Sequence, residues 1–268
     1  MLVILIILVL LALLYLFSLT GRTGHPGLKD LQGFSYAHRG LHGDGRPENS
    51  MAAFRAARDA GYGIELDIHL LADGNLAVIH DSSLKRTTGA QEKIEELTTA
   101  DLKNYCLEGT SETIPEFSQV LELYQGKAPL IVELKCVNNN YAPLCETACR
   151  MLDGYDGAFC LESFDPRCVR WLKQHRPDLI RGQLAENFLN AKNGVPWILR
   201  FCLTFQLLNF LTRPDFAAYK YADRKNLSNF LVRKFWKIHG VSWTLKTQSA
   251  YDTAVAEGYL PIFENFSP

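Results

Sequence analysis

The chain has 268 residues, 47% of them hydrophobic and 21% charged, with a formal net charge of −1. That apolar content can fill a core and excludes a disordered chain. Near-neutral charge without a long basic run excludes nucleic acid as an expected partner.

Residues 2–19 are an almost unbroken apolar run, interrupted only by Ser18. At ~1.5 Å per residue, a helix of that length is expected to just reach across a bilayer core of ~30 Å. Residues 1–21 therefore read as an N-terminal transmembrane anchor. No Lys or Arg precedes the run and no small-x-small cleavage pattern follows it, which argues against a removable signal peptide. The first basic residues, Arg22 and Lys29, come after the span, so the positive-inside bias puts the remainder in the cytoplasm. The 7 cysteines agree. An odd count in a long chain points to reduced thiols rather than a disulfide framework. Cys145 and Cys149 can share a helix face, but no further pair at metal-ligand spacing completes a zinc site.

Residues 33–268 form the second unit. Strands are expected at 34–38, 64–70, 76–80, 130–135, 158–163, 180–184, 216–221, 241–245 and 260–264. Helix signals lie between most of them. Asn49 or Ser50 can cap a helix ending at Gly61, Pro115 can open another, and 225–238 has helical spacing with Leu227, Phe230, Leu231, Lys234, Phe235 and Ile238 largely on one face. About eight apolar strands alternating with helices predict a parallel, closed α/β barrel. One join differs. Asp73-Gly74 is a hairpin signal, so the second and third strands should be antiparallel. With a two-residue turn there, Asp67 would lie opposite His80. The stretch 195–211 is apolar but too polar for a second span. It reads as a barrel-packing helix or an amphipathic flap lying on a bilayer.

Four segments at expected strand ends concentrate chemistry: His38-Arg39-Gly40, Glu65-Leu66-Asp67, His80-Asp81 and Glu133-Leu134-Lys135. In a barrel, such ends converge on one mouth. Carboxylates two apart face one side of a strand, and left unpaired inside a barrel they are costly. A hard cation, Mg²⁺ or Ca²⁺, removes that cost better than zinc when the ligands are all oxygen. Histidines titrate near neutral pH and suit proton transfer, while Arg39 and Lys135 offer positive charge to a phosphodiester. Glu48 is a further candidate for the site lining. His25, His42, His69, His175 and His239 read as structural or exposed.

These segments, with Pro47-Glu-Asn-Ser50, Asp73-Gly74, Leu84-x-Arg86-x-Thr88, Ser163-Phe164 and Trp243-Thr244, resemble the glycerophosphodiester phosphodiesterase family over about residues 34–266. The resemblance implies a TIM (β/α)8 barrel with one divalent cation held by Glu65, Asp67 and Glu133. It implies His38 and His80 as the acid–base pair, and Arg39 and Lys135 as phosphate contacts. The implied reaction has a glycerol hydroxyl attack phosphorus, giving a cyclic phosphate that water opens to glycerol 3-phosphate. One departure stands out. Many relatives end on threonine-aspartate-x-proline, whereas this chain reads Ile262-Phe-Glu-Asn-Phe266, with Glu264 as the candidate replacement acid. Alternatives are lysophospholipase D or phospholipase C-like action on an acylated lipid, and a membrane-held, non-catalytic phosphodiester-binding module.

Overall fold

A computed structural model describes residues 1–190 and 194–268. The chain runs α1 (Leu2–Ser18), β1 (Tyr36–His38), α2 (Met51–Asp59), β2 (Gly63–Leu70) and β3 (Leu76–Val78). It continues through α3 (Lys85–Thr88), α4 (Phe117–Tyr124), β4 (Leu130–Leu134), α5 (Tyr141–Leu152), β5 (Phe159–Ser163) and α6 (Pro166–His175). Then come β6 (Arg181–Ala185), α7 (Trp197–Thr204), α8 (Asn209–Thr212), β7 (Phe216–Lys220) and α9 (Leu227–Lys234). The chain closes with β8 (His239–Leu245), α10 (Gln248–Ala256) and β9 (Tyr259–Phe263).

Strands β1, β2 and β4 to β9 pair in that order, all parallel, and β9 returns to β1 to close the expected TIM barrel. β3 hangs antiparallel on β2, as the Asp73-Gly74 signal requires. Its register is one residue from the expected one. Leu71 bonds Asn75, so three residues form the turn, and Asp67 meets Ile79 rather than His80. Gly74, with φ 82°, supplies the left-handed turn conformation.

Alternation within β2 sets the two sides of the wall. Ile64, Leu66 and Ile68 pack outward in the main core with Phe54, Val120 and Leu130. Glu65, Asp67 and His69 take the other side, inside the barrel. A second cluster closes the base, where Leu28 and Leu31 pack with Tyr36, Ile131, Phe216 and Ile262. Tyr36 also donates its hydroxyl to the Leu31 carbonyl at 2.6 Å. The barrel is thus stoppered at one end, and its polar residues gather at the other.

A further expectation, the transmembrane span, needs correction. α1 has 17 residues, a rise of about 26 Å against a bilayer core of ~30 Å. Among the described residues, no helix is long and apolar enough to cross a membrane. The end of the apolar run is instead used by the barrel. Leu19 is buried with Ala217, Val232 and Ile238, Tyr15 bonds Ser228 at 2.8 Å, and Trp236 donates to the Leu16 carbonyl at 3.0 Å. Arg22 pairs with Asp215 at 2.5 Å and also donates to the Pro177 and Leu179 carbonyls.

The helical spacing at 225–238 is realised as α9, whose buried side is Ser228, Asn229 and Val232, while Leu227 and Phe230 are exposed, as is Phe235 just beyond it. Of the two expected cap residues it is Ser50 that caps α2, accepting from Ala53 N–H at 3.1 Å, which leaves Asn49 free for another task. The 195–211 stretch forms α7 and α8, with Trp197 and Ile198 pointing outward.

Candidate active site

His38 ends β1 and faces inward, two residues after the base-plugging Tyr36. Arg39 follows in a left-handed conformation (φ 55°), and its N–H bonds the Glu65 carbonyl at 2.9 Å and carboxylate at 3.2 Å. Gly40 is required twice over. Its φ is 80°, and a Cβ there would lie 2.9 Å from Ala53 in α2. The tight approach carries the chain over the mouth and into the Pro47–Ser50 segment.

That segment contributes two residues. Glu48 accepts from Arg39 at 3.0 Å and from Arg86 at 2.7 and 3.0 Å. It therefore stands behind Arg39 and orients it. Asn49, buried and with φ 53°, donates its amide to Asp67 at 2.8 Å.

Acidic residues converge as expected. One oxygen each from Glu65, Asp67 and Glu133 lie within 4.8 Å of one another, and all three residues are buried. Asp67 pairs in register with Glu133, and Glu133 with Glu162 on the next strand. Glu162, at 1% exposure, was not expected from sequence. Its position just before Ser163-Phe164 on an expected strand was the available signal. Lys135 reaches Asp67 at 3.0 Å and Glu133 at 2.8 Å. Arg39 Nε lies 3.4 Å from Asp67 Oδ2, so both expected phosphate-binding cations sit against carboxylates.

Burial pushes Glu65 well above the usual carboxylate range, helped by Asp67 and Glu133. Burial also raises Glu133 to about 7 and Glu162 well above its ordinary value. Burial alone would raise Asp67 too, yet Lys135, His80 and Arg39 hold it well below. Glu162 Oε2 is buried and accepts no hydrogen bond, while Asp67 Oδ1 faces Lys135 Nζ at 3.0 Å. Hard oxygens, several of them destabilised as anions, fit a hard divalent cation.

Both histidines are held in the same way. His38 Nδ1 lies 2.9 Å from Glu264, whose other oxygen meets Lys246 at 2.6 Å. His80 Nδ1 lies 2.7 Å from Asp81, which in turn pairs with Arg86. Each carboxylate orients one ring and directs the other nitrogen, Nε2, elsewhere. For His38 that nitrogen lies 3.8 Å from Glu65. Burial lowers both imidazoles from their ordinary value, opposed by Glu264 in one case and chiefly by Asp67 in the other. His42 also contacts Glu264, at 3.3 Å, and so joins the site from which sequence reasoning left it out. His69 is structural as expected, buried and bonded to Glu95 and to the His80 carbonyl.

The two histidines line one small cavity of about 40 Å³, together with Arg39, Glu65, Glu133 and Glu162. His80 and Glu133 also border a cleft of about 780 Å³, which Lys135 lines as well and which runs to Phe164, Phe188, Leu199 and Leu203. Every candidate from sequence is therefore placed at one mouth, with Glu48 one step behind it.

Residues 38–263 match the model of the Glycerophosphoryl diester phosphodiesterase family. The chain belongs to that family. Glycerophosphodiester phosphodiesterases of Bacillus altitudinis and Caldanaerobacter subterraneus are 39% and 32% identical to it, over 40% and 56% of the chain. A rat lysophospholipase D is 35% identical over 39% of the chain. These matches span 46%, 65% and 36% of the respective relatives, less than two thirds of each. Among solved structures, an Oleispira antarctica phosphodiesterase in complex with the product sn-glycerol-3-phosphate superposes with a TM-score of 0.73. That likeness covers 91% of this chain and 95% of the other at 21% identity, and so concerns the glycerophosphoryl diester phosphodiesterase fold.

Proposed function

We propose that the chain hydrolyses glycerophosphodiesters to glycerol 3-phosphate and an alcohol. The observation that carries this reading is the pair of carboxylate-clamped imidazoles, His38 and His80, lining one cavity with Glu65, Glu133 and Arg39. One imidazole takes the proton of the glycerol hydroxyl next to the phosphoester as that oxygen attacks phosphorus. The other gives a proton to the departing alcohol, leaving a cyclic phosphate. Water then opens the ring with the roles exchanged, which returns both histidines to their starting states.

Arg39 and Lys135 hold the phosphoryl oxygens, the first oriented by Glu48. Glu65, Asp67 and Glu133 would hold one Mg²⁺ or Ca²⁺, which when bound withdraws charge from the phosphoryl group. The test is glycerophosphocholine supplied with Mg²⁺ or Ca²⁺, read by phosphorus NMR. Glycerol 3-phosphate should appear, and chelation should stop it. A folded protein that turns over no glycerophosphodiester under these conditions would support the non-catalytic binding module instead.

The 780 Å³ cleft favours a second substrate class. Its wall of Phe188, Leu199 and Leu203 suits a hydrocarbon chain, as in a lysophospholipid, and the rat relative is named a lysophospholipase D. A lysophosphatidylcholine arm in the same assay separates the two: faster turnover than glycerophosphocholine supports the acylated substrate.

The proposed catalytic unit is residues 33–268, with 1–21 as its membrane attachment. Leu2 to Leu11, Leu13 and Leu14 are each about half exposed or more, and a helix satisfies its own backbone in lipid. α1 is proposed to embed in the cytoplasmic face without crossing. Free cysteines and the exposed Lys29 support that side. Flotation of full-length protein with lipid vesicles, and its loss on removing residues 1–14, tests the attachment; equal flotation of both forms would refute it.

A further inference from the structure

We infer that the outer face of α9 is a docking surface for an anionic lipid bilayer, which it meets beside α1. The inference rests on the proposed attachment of α1 and adds to it a choice of lipid. α9 buries Ser228, Asn229 and Val232 and leaves Leu227, Phe230 and Lys234 exposed. Helix positions three and four apart are neighbours, so these three make one continuous stripe. Phe235 follows directly, and it, Leu227 and Phe230 are each more than half exposed.

Positive charge surrounds the apolar side chains. Residues 224–238 hold five Lys and Arg and no Asp or Glu, and Lys225, Lys234 and Lys237 are exposed. The ion pairs of this region fall on Lys220, Arg224 and Lys246. Among the described residues none reaches the three exposed lysines. A groove of about 530 Å³ beside the helix is lined by Lys225, Leu227, Phe230 and Lys234. Glu257 also lines it, but its carboxylate is taken by Arg224 at 3.2 Å.

An apolar stripe among lysines is what an interfacial helix presents. The rings and leucine enter the acyl boundary, while the ammonium groups stay level with the lipid phosphates. A nucleic acid would use the cations and leave the stripe wet. The neighbouring element also favours lipid. Tyr15 of α1 bonds Ser228 at 2.8 Å, and the Leu16 carbonyl accepts from Trp236 at 3.0 Å. Leu231, four residues after Leu227, packs into the cluster around Leu19, so the stripe adjoins the apolar helix. α1 itself has no Lys, Arg, Asp or Glu and no means of sensing lipid charge along its length. α9 supplies it, since each lysine near an anionic surface favours binding by about fivefold.

The test is flotation of full-length protein with phosphatidylcholine vesicles, with and without phosphatidylserine, at low salt. The wild type should bind the mixed vesicles more tightly, and added KCl should erase the preference. Lys225→Gln, Lys234→Gln and Lys237→Gln together should lose about fivefold per lysine on mixed vesicles and nothing on pure phosphatidylcholine. Phe230→Ser should weaken binding to both. Equal binding of the wild type to both vesicle types, or a lysine or Phe230 variant that binds as the wild type does, overturns the inference and leaves the α1 attachment standing. A wild type that binds neither overturns that attachment and the inference with it. Should circular dichroism show the variants unfolded, the salt series on the wild type decides: a preference that survives KCl overturns the inference.

Discussion

His38 and His80 are held by the same device built in two ways. Around His80 the parts are local. Asp81 is the next residue, and Arg86 lies five further on. Around His38 they are distant. Glu264 comes from the far end of the chain, 226 residues away, with Lys246 from the β8 end. The two clamps also differ in depth, the His38 side chain being 13% exposed and that of His80 31%. A short helical turn suffices to brace a ring at the rim, whereas bracing one inside requires the barrel to close first. The local clamp is further tied to Arg39, since Arg86 and Arg39 share Glu48.

The largest expected effect treats the two as equals. His38→Ala and His80→Ala should each lower the rate by ~10²–10⁴-fold with melting temperature preserved. A loss confined to one of them would break the symmetry on which the two-imidazole reaction depends. Substituting the clamps should then separate them. Asp81→Asn should cost a fraction of the histidine loss. Glu264→Gln should cost more, because it releases His38, His42 and Lys246 together; pH–rate profiles of both variants would show the shift in the histidine concerned.

The difference in legibility follows from the same contrast. His80, Asp81 and Arg86 can be read as one motif because they lie within one short stretch of chain. Glu264 was visible only as a departure from a family pattern, and His42 not at all, because their meeting is made by β9 docking on β1. Strand order was legible from apolar alternation and turn residues. The β2–β3 register was not, since Asp73-Gly74 serves a two-residue turn and a three-residue turn equally well, and one residue decides which side chains oppose. On α9 the helical period was legible, but which side is buried was not. Burial there follows Ser228 and Asn229, which find partners in Tyr15 and Tyr259, against the bare hydrophobicity of Leu227 and Phe230. Glu162 lay inside an apolar strand with no spacing to mark it.

Protonation gives a gentler test of the two walls. Glu133 is raised from 4.5 to about 7 by burial. A carboxyl raised in the fold binds more protons folded than unfolded, so chelator-treated protein should lose stability as pH rises from 4.5 toward 7. Added divalent ion or Glu133→Gln should reduce that slope in a melting series, the raised Glu65 and Glu162 carrying the remainder after the substitution. Glu264 has the opposite sign. Although burial opposes it, His38, His42 and Lys246 depress its carboxyl, so its contribution is present above the ordinary 4.5 and is lost as pH falls. Glu264→Gln should lessen the loss on the acid side alone, where Asp67, Asp81 and Glu48 are depressed as well.

The smallest effect is a control on local bracing. Ser50→Ala removes the α2 cap and should cost about 1 kcal/mol of stability. It should leave kcat unchanged, since Asn49, not Ser50, touches Asp67.

The Arg22 clasp on Asp215, with Trp236 fastened to the backbone of α1, couples the end of that helix to the barrel. With α1 lying in a bilayer as proposed, that coupling would set the tilt and height of the opening, and turnover would then respond to the lie of the surface as a compass needle responds to its mounting.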